Sequence, residues 1–163
     1  MPSLLVVHHS PTANLAALTG AVVDGAGDPA LAGVDVVVRE ALSTTAADLL
    51  AADGYVLGTS ANFGYMSGAL KHVFDSTFAA IGGALDPGGA ASATTGTTAG
   101  RPFGLYVHGR YDTTGAVRSV LAITTALGWR QGFEVLEVLD EPGPDDLAAA
   151  YDLGGTIAAL LGG

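Results

Sequence analysis

The chain has 163 residues, 49% of them hydrophobic, and six Lys and Arg against sixteen Asp and Glu give it a formal net charge of -10. This length and apolar content suffice for one domain with a substantial core, whereas the acidity opposes binding to nucleic-acid phosphates and anionic membranes. The absence of cysteine excludes disulfides, thiolate chemistry and cysteine-ligated metal clusters.

Short apolar runs predict five strands. None is long enough to span a bilayer, and no basic leader precedes the first, so we expect a soluble, cytoplasmic protein. The predicted strands, in chain order, are Leu4 to His8, Val34 to Val38, Gly54 to Gly58, Phe103 to His108 and Gln131 to Val138.

Helical periodicity lies between these strands. One apolar stripe runs from Leu70 to Ile81 and another from Val117 to Leu127, both with the i, i+3, i+4 spacing of a helix face. The last helix is predicted to begin at Pro144, which is followed by acidic residues in the first turn, and its stripe ends at Leu161.

Alternation of strands and helices predicts a three-layer α/β domain with a parallel sheet. The first, third and fourth strands carry no charge, as expected for strands buried on both faces, whereas the second and fifth contain charged residues. This places the second and fifth strands at the edges and predicts the order 2-1-3-4-5. In that order the ligand crevice lies on the loops that follow strands one, three and four.

Residues 82–100 are almost entirely Gly, Ala, Ser and Thr. Such a composition predicts a flexible loop. Because this segment leads into the fourth strand, we expect it at the sheet edge opposite the crevice, as a tolerated insertion rather than a lid.

The loop after the first strand, Ser10 to Leu15, opens a helix. Its hydroxyls and backbone N–H groups meet where the helix dipole is positive, which favours a phosphate; the alternative is that Ser10, Thr12 and Asn14 only cap the helix. The loop has neither a Walker lysine nor a G-x-G-x-x-G pattern, which disfavours an NTPase or a Rossmann dehydrogenase. The preceding His8 and His9 alternate across the strand, so they are not expected to share a metal.

Two further loops bring aromatic side chains to the same crevice. The loop Ser60 to Gly68 combines Phe63, Tyr65 and Met66 with a permissive Gly64, and has no nucleophile paired with a base. The loop His108 to Gly115 adds Tyr111. A phosphate holder beside two aromatic loops predicts a pocket for a flat aromatic nucleotide such as flavin mononucleotide (FMN).

Three segments of the chain resemble the flavodoxin superfamily, and more specifically its NAD(P)H-dependent FMN and quinone oxidoreductases. They are "HHSPTAN", a version of the family's phosphate loop, "ADGYVLGTSANFGYMSGALKHVFDST", and "RPFGLYVHGRYDTTGA". Together with the alternating elements, the likeness spans nearly the whole chain. The sequence departs from the family pattern at Ala13, where a glycine is usual, and at Leu15, which replaces the last phosphate-binding threonine.

The resemblance implies a flavodoxin-like fold and noncovalent FMN, with the phosphate on the first loop and the ring between the loops of Phe63 and Tyr111. Electrons would pass through the flavin, so no catalytic side chain is required. The implied cofactor-binding residues are Ser10, Thr12, Ala13, Asn14, Leu15, Ser60, Ala61, Asn62, Phe63, Gly64, Tyr65, Met66, His108, Gly109, Arg110, Tyr111 and Asp112.

Three functional hypotheses remain open at the level of sequence. The first is an oxidoreductase in which FMN takes electrons from NAD(P)H and passes them to a quinone or another small acceptor. The second is a flavodoxin-type electron carrier that docks on redox partner proteins, and the third is a binding domain that has lost FMN. The shortage of cations for a dinucleotide favours the carrier, whereas the motif likeness favours the oxidoreductase; the acceptor and the oligomeric state stay open.

Overall fold

A computed structural model describes residues 1–91 and 96–163 of the chain. A mainly parallel sheet forms the middle layer, with helices packed on both of its faces. The strands are β1 (Ser3–His8), β2 (Asp35–Glu40), β3 (Gly54–Asn62), β4 (Tyr65–Met66), β5 (Pro102–Gly109), β6 (Arg130–Gln131) and β7 (Leu136–Leu139).

Within residues 1–91 and 96–163, five α-helices flank the sheet: α1 (Ala13–Ala26), α2 (Ala46–Ala51), α3 (Gly68–Thr77), α4 (Thr114–Ala126) and α5 (Pro144–Gly162). The stripe predicted from Leu70 to Ile81 outlasts its helix, because α3 ends at Thr77 and turns carry the chain on to Ile81, which is still fully buried. No helix in the described ranges is both long and apolar enough to cross a membrane.

The prediction of five strands in the order 2-1-3-4-5 needs correction. In the part of the chain that the structure describes, the sheet has seven strands, and its main path runs β2-β1-β3-β5-β6. The short β4 pairs antiparallel with the end of β3, so the sheet is not purely parallel. The predicted fifth strand, Gln131 to Val138, is divided into β6 and β7, both of which pair parallel with β5.

Alternation along the strands divides the core into two halves. In β1, Leu4 and Val6 pack under α1 and α5, whereas Leu5 and Val7 pack under α2, α3 and α4. The predicted second and fifth strands do lie at the edges of the sheet, since β2 and β6 end the main path. The carboxyl ends of β1, β3 and β5 therefore meet at one edge of the sheet.

The segment predicted to be a flexible loop, residues 82–100, includes residues 92–95, which lie outside the described residues. Its described end is anchored in the core, since Thr98 is fully buried, donates to the Ile81 carbonyl at 2.7 Å and accepts from the Trp129 indole at 2.8 Å. Leu85 and Ala91 form an isolated antiparallel bridge. The segment leads into the amino end of β5, opposite the edge at which β1, β3 and β5 end.

Candidate functional site: a crevice at the carboxyl ends of three strands

Strand register brings the three predicted loops to one place. His8 at the end of β1 is paired with Gly58 of β3, and Ser60 of β3 is paired with His108 of β5. The loops that follow these strands must therefore be neighbours. We refer to the space they border, residues 9–15, 60–65 and 108–113, as the crevice.

Helix α1 points its amino end at the crevice. Thr12 is the N-cap, and its hydroxyl accepts from the Leu15 N–H at 3.3 Å. The N–H groups of Ala13 and Asn14 lie in the first turn, where a helix has no internal acceptor for them. They are donors that this loop offers to an anion, whereas Pro11 has no N–H and that of Leu15 is used by the cap.

A chain of hydrogen bonds runs from this loop into the core. His8 Nδ1 lies 2.9 Å from the Ser10 hydroxyl, which lies 2.8 Å from that of Thr19, which in turn lies 2.6 Å from that of Tyr106. Tyr106 is fully buried and packs on Gly58, where a Cβ would lie 2.1 Å from the tyrosine ring. Burial raises the pKa of Tyr106 well above its usual range, so it stays protonated.

The two adjacent histidines have different partners. His8 is half-buried, and burial is the main cause that lowers the pKa of its imidazole below the usual 6.5, although the Glu40 charge opposes this. His9 Nδ1 instead lies 3.0 Å from a Glu40 carboxylate oxygen. That hydrogen bond lowers the pKa of Glu40, so the carboxylate is charged at neutral pH.

The second loop is the tip of a two-residue hairpin between β3 and β4. Phe63 (φ 50°) and Gly64 (φ 77°) both have positive φ, the pattern of a type I′ turn. The hairpin is fixed to α4, because the Met66 N–H donates to the Ser119 hydroxyl at 3.3 Å and a Cβ on Gly115 would lie 1.9 Å from the Gly64 carbonyl oxygen. Phe63 is fully exposed at the tip.

Ser60 carries an orphaned polar atom at the base of this loop. Its hydroxyl oxygen is buried and has no hydrogen-bond partner within the described ranges, 1–91 and 96–163. Buried hydroxyls in folded proteins nearly always have a partner, and leaving one without a partner costs about 1 to 3 kcal/mol. The Ser60 hydroxyl is therefore a place where a bound ligand would supply the missing hydrogen bond.

The third loop adds an exposed aromatic ring with a cation over it. Tyr111 is 83% exposed, and the Arg110 guanidinium carbon lies 5.5 Å from the centre of its ring. The Asp112 carboxylate, two residues before α4 begins, accepts from the Thr114 N–H at 2.9 Å, which lowers the pKa of its carboxyl. His108 is turned toward the end of β7, where its Nε2 donates to the Asp140 carbonyl at 2.6 Å.

The predicted site residues divide into three groups. The side chains of Leu15 and Met66 are buried in the core, and Gly109 is buried against Ala61 and Thr113, so these three offer a ligand only backbone atoms at most. Three polar side chains, those of Ser10, His108 and Asp112, already have protein partners. The remainder lie at the crevice and are exposed or half-buried: Thr12, Ala13, Asn14, Ser60, Ala61, Asn62, Phe63, Gly64, Tyr65, Arg110 and Tyr111.

Sequence reasoning missed the residues that support these loops from beneath. Thr19 and Tyr106 hold Ser10 from the core side, and Gly115 and Ser119 hold the hairpin. Only one of these contacts could have been predicted from the sequence: the large Tyr106 is paired with Gly58 on the neighbouring strand, where the absence of a side chain leaves room for its ring. The others depend on which helix turn faces which loop.

Charge around the crevice is mostly negative. Three of the six cations are engaged away from it: Arg39 pairs with Asp48 at 3.4 Å, Lys71 pairs with Asp75 at 2.8 Å, and Arg101 donates to the Leu49, Leu50 and Ala52 carbonyls. Arg110 is the cation on the crevice loops. The acidic residues on these loops or at the neighbouring strand ends are Glu40, Asp112, Asp140 and Glu141.

A groove of about 570 Å³ lies elsewhere, along α4. Its lining has no aromatic side chain on which a flat ligand would stack; it consists of Thr114, Val117, Arg118, Leu121, Ala122, Thr125 and Glu137. In the described residues no cluster of three or more metal-binding side chains is found. We therefore place the candidate site at the crevice.

Comparison with solved structures agrees with this architecture. The chain is similar to a flavodoxin from the domain Archaea (TM-score 0.77, 20% identity, 98% of each chain) and to a flavodoxin from Streptococcus pneumoniae TIGR4 (0.74, 22%, 97% of this chain and 99% of that one). It is also similar to a flavodoxin, WrbA-like protein from Agrobacterium tumefaciens (0.72, 17%, 99% and 98%). No protein-family model matches the sequence, and no curated protein matches it. These likenesses show a flavodoxin-like fold.

Proposed function

We propose that the protein binds FMN noncovalently at the crevice and acts as an FMN-dependent redox protein. Bound FMN would supply the electron-transfer chemistry, and the protein would supply position, exclusion of water and charge. The observation that carries the proposal is the combination, at one edge of the sheet, of two exposed aromatic rings, Phe63 and Tyr111, with the orphaned Ser60 hydroxyl.

The residues at the crevice fit FMN at both of its ends. The N–H groups of Ala13 and Asn14, with the Thr12 hydroxyl, suit a phosphate at the positive end of α1. The rings of Phe63 and Tyr111 suit the faces of an isoalloxazine ring, and the Ser60 hydroxyl suits a polar atom beside it. Ala13 removes no N–H donor, whereas Pro11 and the cap at Leu15 leave this loop with few of them.

Charge favours an electron carrier as the finer role. A nicotinamide dinucleotide brings phosphates that need cations, and Arg110 alone would meet them at the described crevice loops. A negative rim instead suits contact with a basic redox protein. The family motifs favour the second candidate, an oxidoreductase that passes electrons from NAD(P)H to a quinone or another small acceptor.

Titration of the purified protein with FMN tests the proposal. We expect saturable quenching of flavin fluorescence and weaker binding by Phe63→Ala and Tyr111→Ala, with Tyr151→Ala, on the distant α5, as the matched control. Wild-type protein that is colourless and binds no added FMN would contradict the redox proposal and favour a binding domain that has lost the flavin.

Anaerobic mixing of the FMN complex with NADH or NADPH separates the two finer roles. Inertness toward both nucleotides, together with reduction by dithionite, is the outcome expected for the carrier. Rapid bleaching of the flavin absorbance by either nucleotide would instead establish the oxidoreductase as the role.

A further inference from the structure

The row of hydrogen bonds that joins Tyr106, Thr19, Ser10 and His8 has only one direction of donation in which every buried hydroxyl proton has an acceptor. Tyr106 is fully buried, and among the described residues its hydroxyl bonds only to Thr19. The tyrosine proton must therefore point at Thr19, since otherwise it would be buried without an acceptor. Each hydroxyl has one proton, so Thr19, which is 7% exposed, satisfies its own by donating to Ser10.

The same direction of donation determines which nitrogen of His8 carries the proton. Ser10 accepts from Thr19 and donates to His8 Nδ1, which lies 2.9 Å away. A neutral imidazole accepts at Nδ1 only when its proton is on Nε2. While His8 is neutral, the Ser10 proton thus points toward the protein, although Ser10 is in the loop that borders the crevice.

Protonation of His8 reverses the last hydrogen bond. The charged imidazole carries a proton on Nδ1 and becomes a donor to Ser10. Ser10 then accepts from both His8 and Thr19, and its own proton has no acceptor left within the chain of hydroxyls. An anion bound at the amino end of α1 would be the nearest hydrogen-bond acceptor for that proton.

We infer that His8 is a positioning residue that sets the direction of the Ser10 hydroxyl, inward when the imidazole is neutral and toward a bound phosphate when it is charged. The inference rests on the proposed function, because it concerns the phosphate of the proposed FMN. It predicts tighter phosphate binding at acidic pH, through a residue that does not itself contact the ligand.

The groups that act on His8 come from two neighbours. Glu40, at the end of β2, favours the charged imidazole, and His9 disfavours it. Burial outweighs both and lowers the pKa of His8, so the change in direction is expected below pH 6.5. His9 and Glu40 form their own pair, which makes His9 the natural control for effects of pH.

Dissociation constants of FMN and riboflavin between pH 5 and 8, at constant ionic strength, test the inference. Riboflavin lacks the phosphate, so the ratio of the two constants isolates the phosphate contribution. In the wild type we expect this ratio to favour FMN about tenfold more at pH 5 than at pH 8, as one added hydrogen bond to a charged group would give. The second ionisation of a phosphate also falls near pH 6, and a variant without His8 measures that background.

His8→Asn is the decisive variant, because its amide oxygen can accept from Ser10 at every pH. We expect it to lose the tenfold change, whereas His9→Asn keeps it. Loss of the change in His9→Asn, or its retention in His8→Asn, overturns the inference. Absence of FMN binding by the wild type at every pH overturns the proposed function and this inference with it, so the two failures are distinguishable.

Ring-nitrogen NMR of the wild type provides a test that needs no substitution. The neutral His8 imidazole is expected as the Nε2–H tautomer, and a population dominated by Nδ1–H contradicts the assigned direction of the chain. Circular dichroism and thermal unfolding of the two variants verify that they are folded before their affinities are compared.

Discussion

Phe63 has a backbone conformation that large side chains rarely adopt. A bulky residue at φ 50° in a type I′ turn is strained, and the ring gains nothing from burial because it is fully exposed. Local strain of this kind is of the order of 1 kcal/mol and persists mainly at functional sites. The conformation is thus best explained by what the ring contacts when a ligand is bound.

Replacement of Phe63 by asparagine should separate stability from binding. Asparagine followed by glycine is the preferred pair for this turn, so we expect Phe63→Asn to raise the free energy of unfolding by roughly 0.5 to 1 kcal/mol. The same change removes a stacking ring and should weaken FMN by about 0.5 to 1.5 kcal/mol. Urea unfolding of the apoprotein and FMN titration measure the two effects.

Phe63→Tyr serves as the control, because it keeps the ring and the strain and should leave both quantities near wild type. A Phe63→Asn protein that binds FMN as well as the wild type does would show that the ring is not part of the site.

Thr12 has two roles that a pair of substitutions can resolve. Its hydroxyl oxygen caps α1, so Thr12→Ala should lower the free energy of unfolding by about 1 kcal/mol. Its hydroxyl proton is free to donate to a phosphate, and loss of that bond should weaken FMN by about 1.5 to 3 kcal/mol. Thr12→Ser should retain both. If Thr12→Ala loses stability but not affinity, the phosphate lies elsewhere and the residue is a cap alone.

At the scale of elements, two helices approach closely through glycine. A Cβ on Gly154 of α5 would lie 2.0 Å from the Val22 carbonyl oxygen of α1, and one on Gly25 would lie 2.0 Å from the Tyr151 carbonyl oxygen. Backbone oxygens cannot move aside as a flexible side chain does. The helices must separate if either glycine gains a methyl group, which disturbs the core half that supports β1.

Gly154→Ala should therefore destabilise the protein although alanine is the better helix former. We expect overpacking to lower the free energy of unfolding by about 1 to 3 kcal/mol. Gly20→Ala in α1 is the matched control, because nothing lies within 4 Å of its Cβ, and it should stabilise by about 0.5 to 1 kcal/mol. Guanidinium unfolding of both variants measures the pair, and a stabilised Gly154→Ala protein would contradict the close approach.

The elements predictable from the sequence were those with strong local signals. Uncharged apolar runs and helical stripes located the long strands and four of the helices, and charge located the edge strands, whereas the six-residue α2 was not predicted. The short β4 was missed because two residues have no periodicity. The predicted fifth strand is interrupted at Gly132, where the backbone approaches α5 so closely that a Cβ would lie 2.8 Å from Ile157 and Leu160 side-chain atoms, a contact between distant segments.

The same distinction applies to the site. Sequence order and topology sufficed to predict three loops at one sheet edge, since parallel strands end together. They did not reveal which side chains of those loops turn inward. Leu15 and Met66 were predicted at the cofactor and their side chains lie in the core, whereas Ser10 is hydrogen-bonded to Thr19, and through it to Tyr106, two residues that were not predicted to support the site.

For the whole molecule, hydrogen-bonded and buried ionisable groups link stability to pH. The pKa of Asp48 and of Glu40 is lowered by hydrogen bonds, so their stabilisation is present at neutral pH and is lost as the pH falls below the ordinary values of 4.5 for Glu40 and 3.8 for Asp48. The lowered pKa of His8 reduces the free energy of unfolding at higher pH than the carboxyls do. From pH 6.5 downward the unfolded state binds a proton at His8 more readily than the folded state does.

The free energy of unfolding should thus fall with pH in two steps, and His8→Asn should remove only the first. Urea unfolding at intervals from pH 8 to 2.5 measures both proteins, and their difference cancels the general effect of the net charge. We expect the two curves to diverge as the pH falls below 6.5 and to run parallel once His8 is protonated in the folded state as well. Parallel curves throughout would mean that His8 titrates alike in both states.

Net charge determines which partners the whole molecule attracts. The charge of -10 and the acidic rim of the crevice would draw cationic electron acceptors toward the proposed flavin and repel anionic ones. The attraction is long-range at low salt, with a screening length of about 30 Å at 0.01 M, and short-range at 1 M, where the screening length is about 3 Å.

Stopped-flow oxidation of the chemically reduced FMN complex should therefore be faster with hexaammineruthenium than with ferricyanide after correction for driving force, and salt should bring the two rates together. Arg110→Gln, which removes the cation on the crevice loops, should widen the gap, whereas Arg130→Gln at the distant β6 edge should change it less. Equal rates at low salt would mean that the negative charge does not face the path by which electrons leave, and the case for a carrier that docks on basic partners would fail with them.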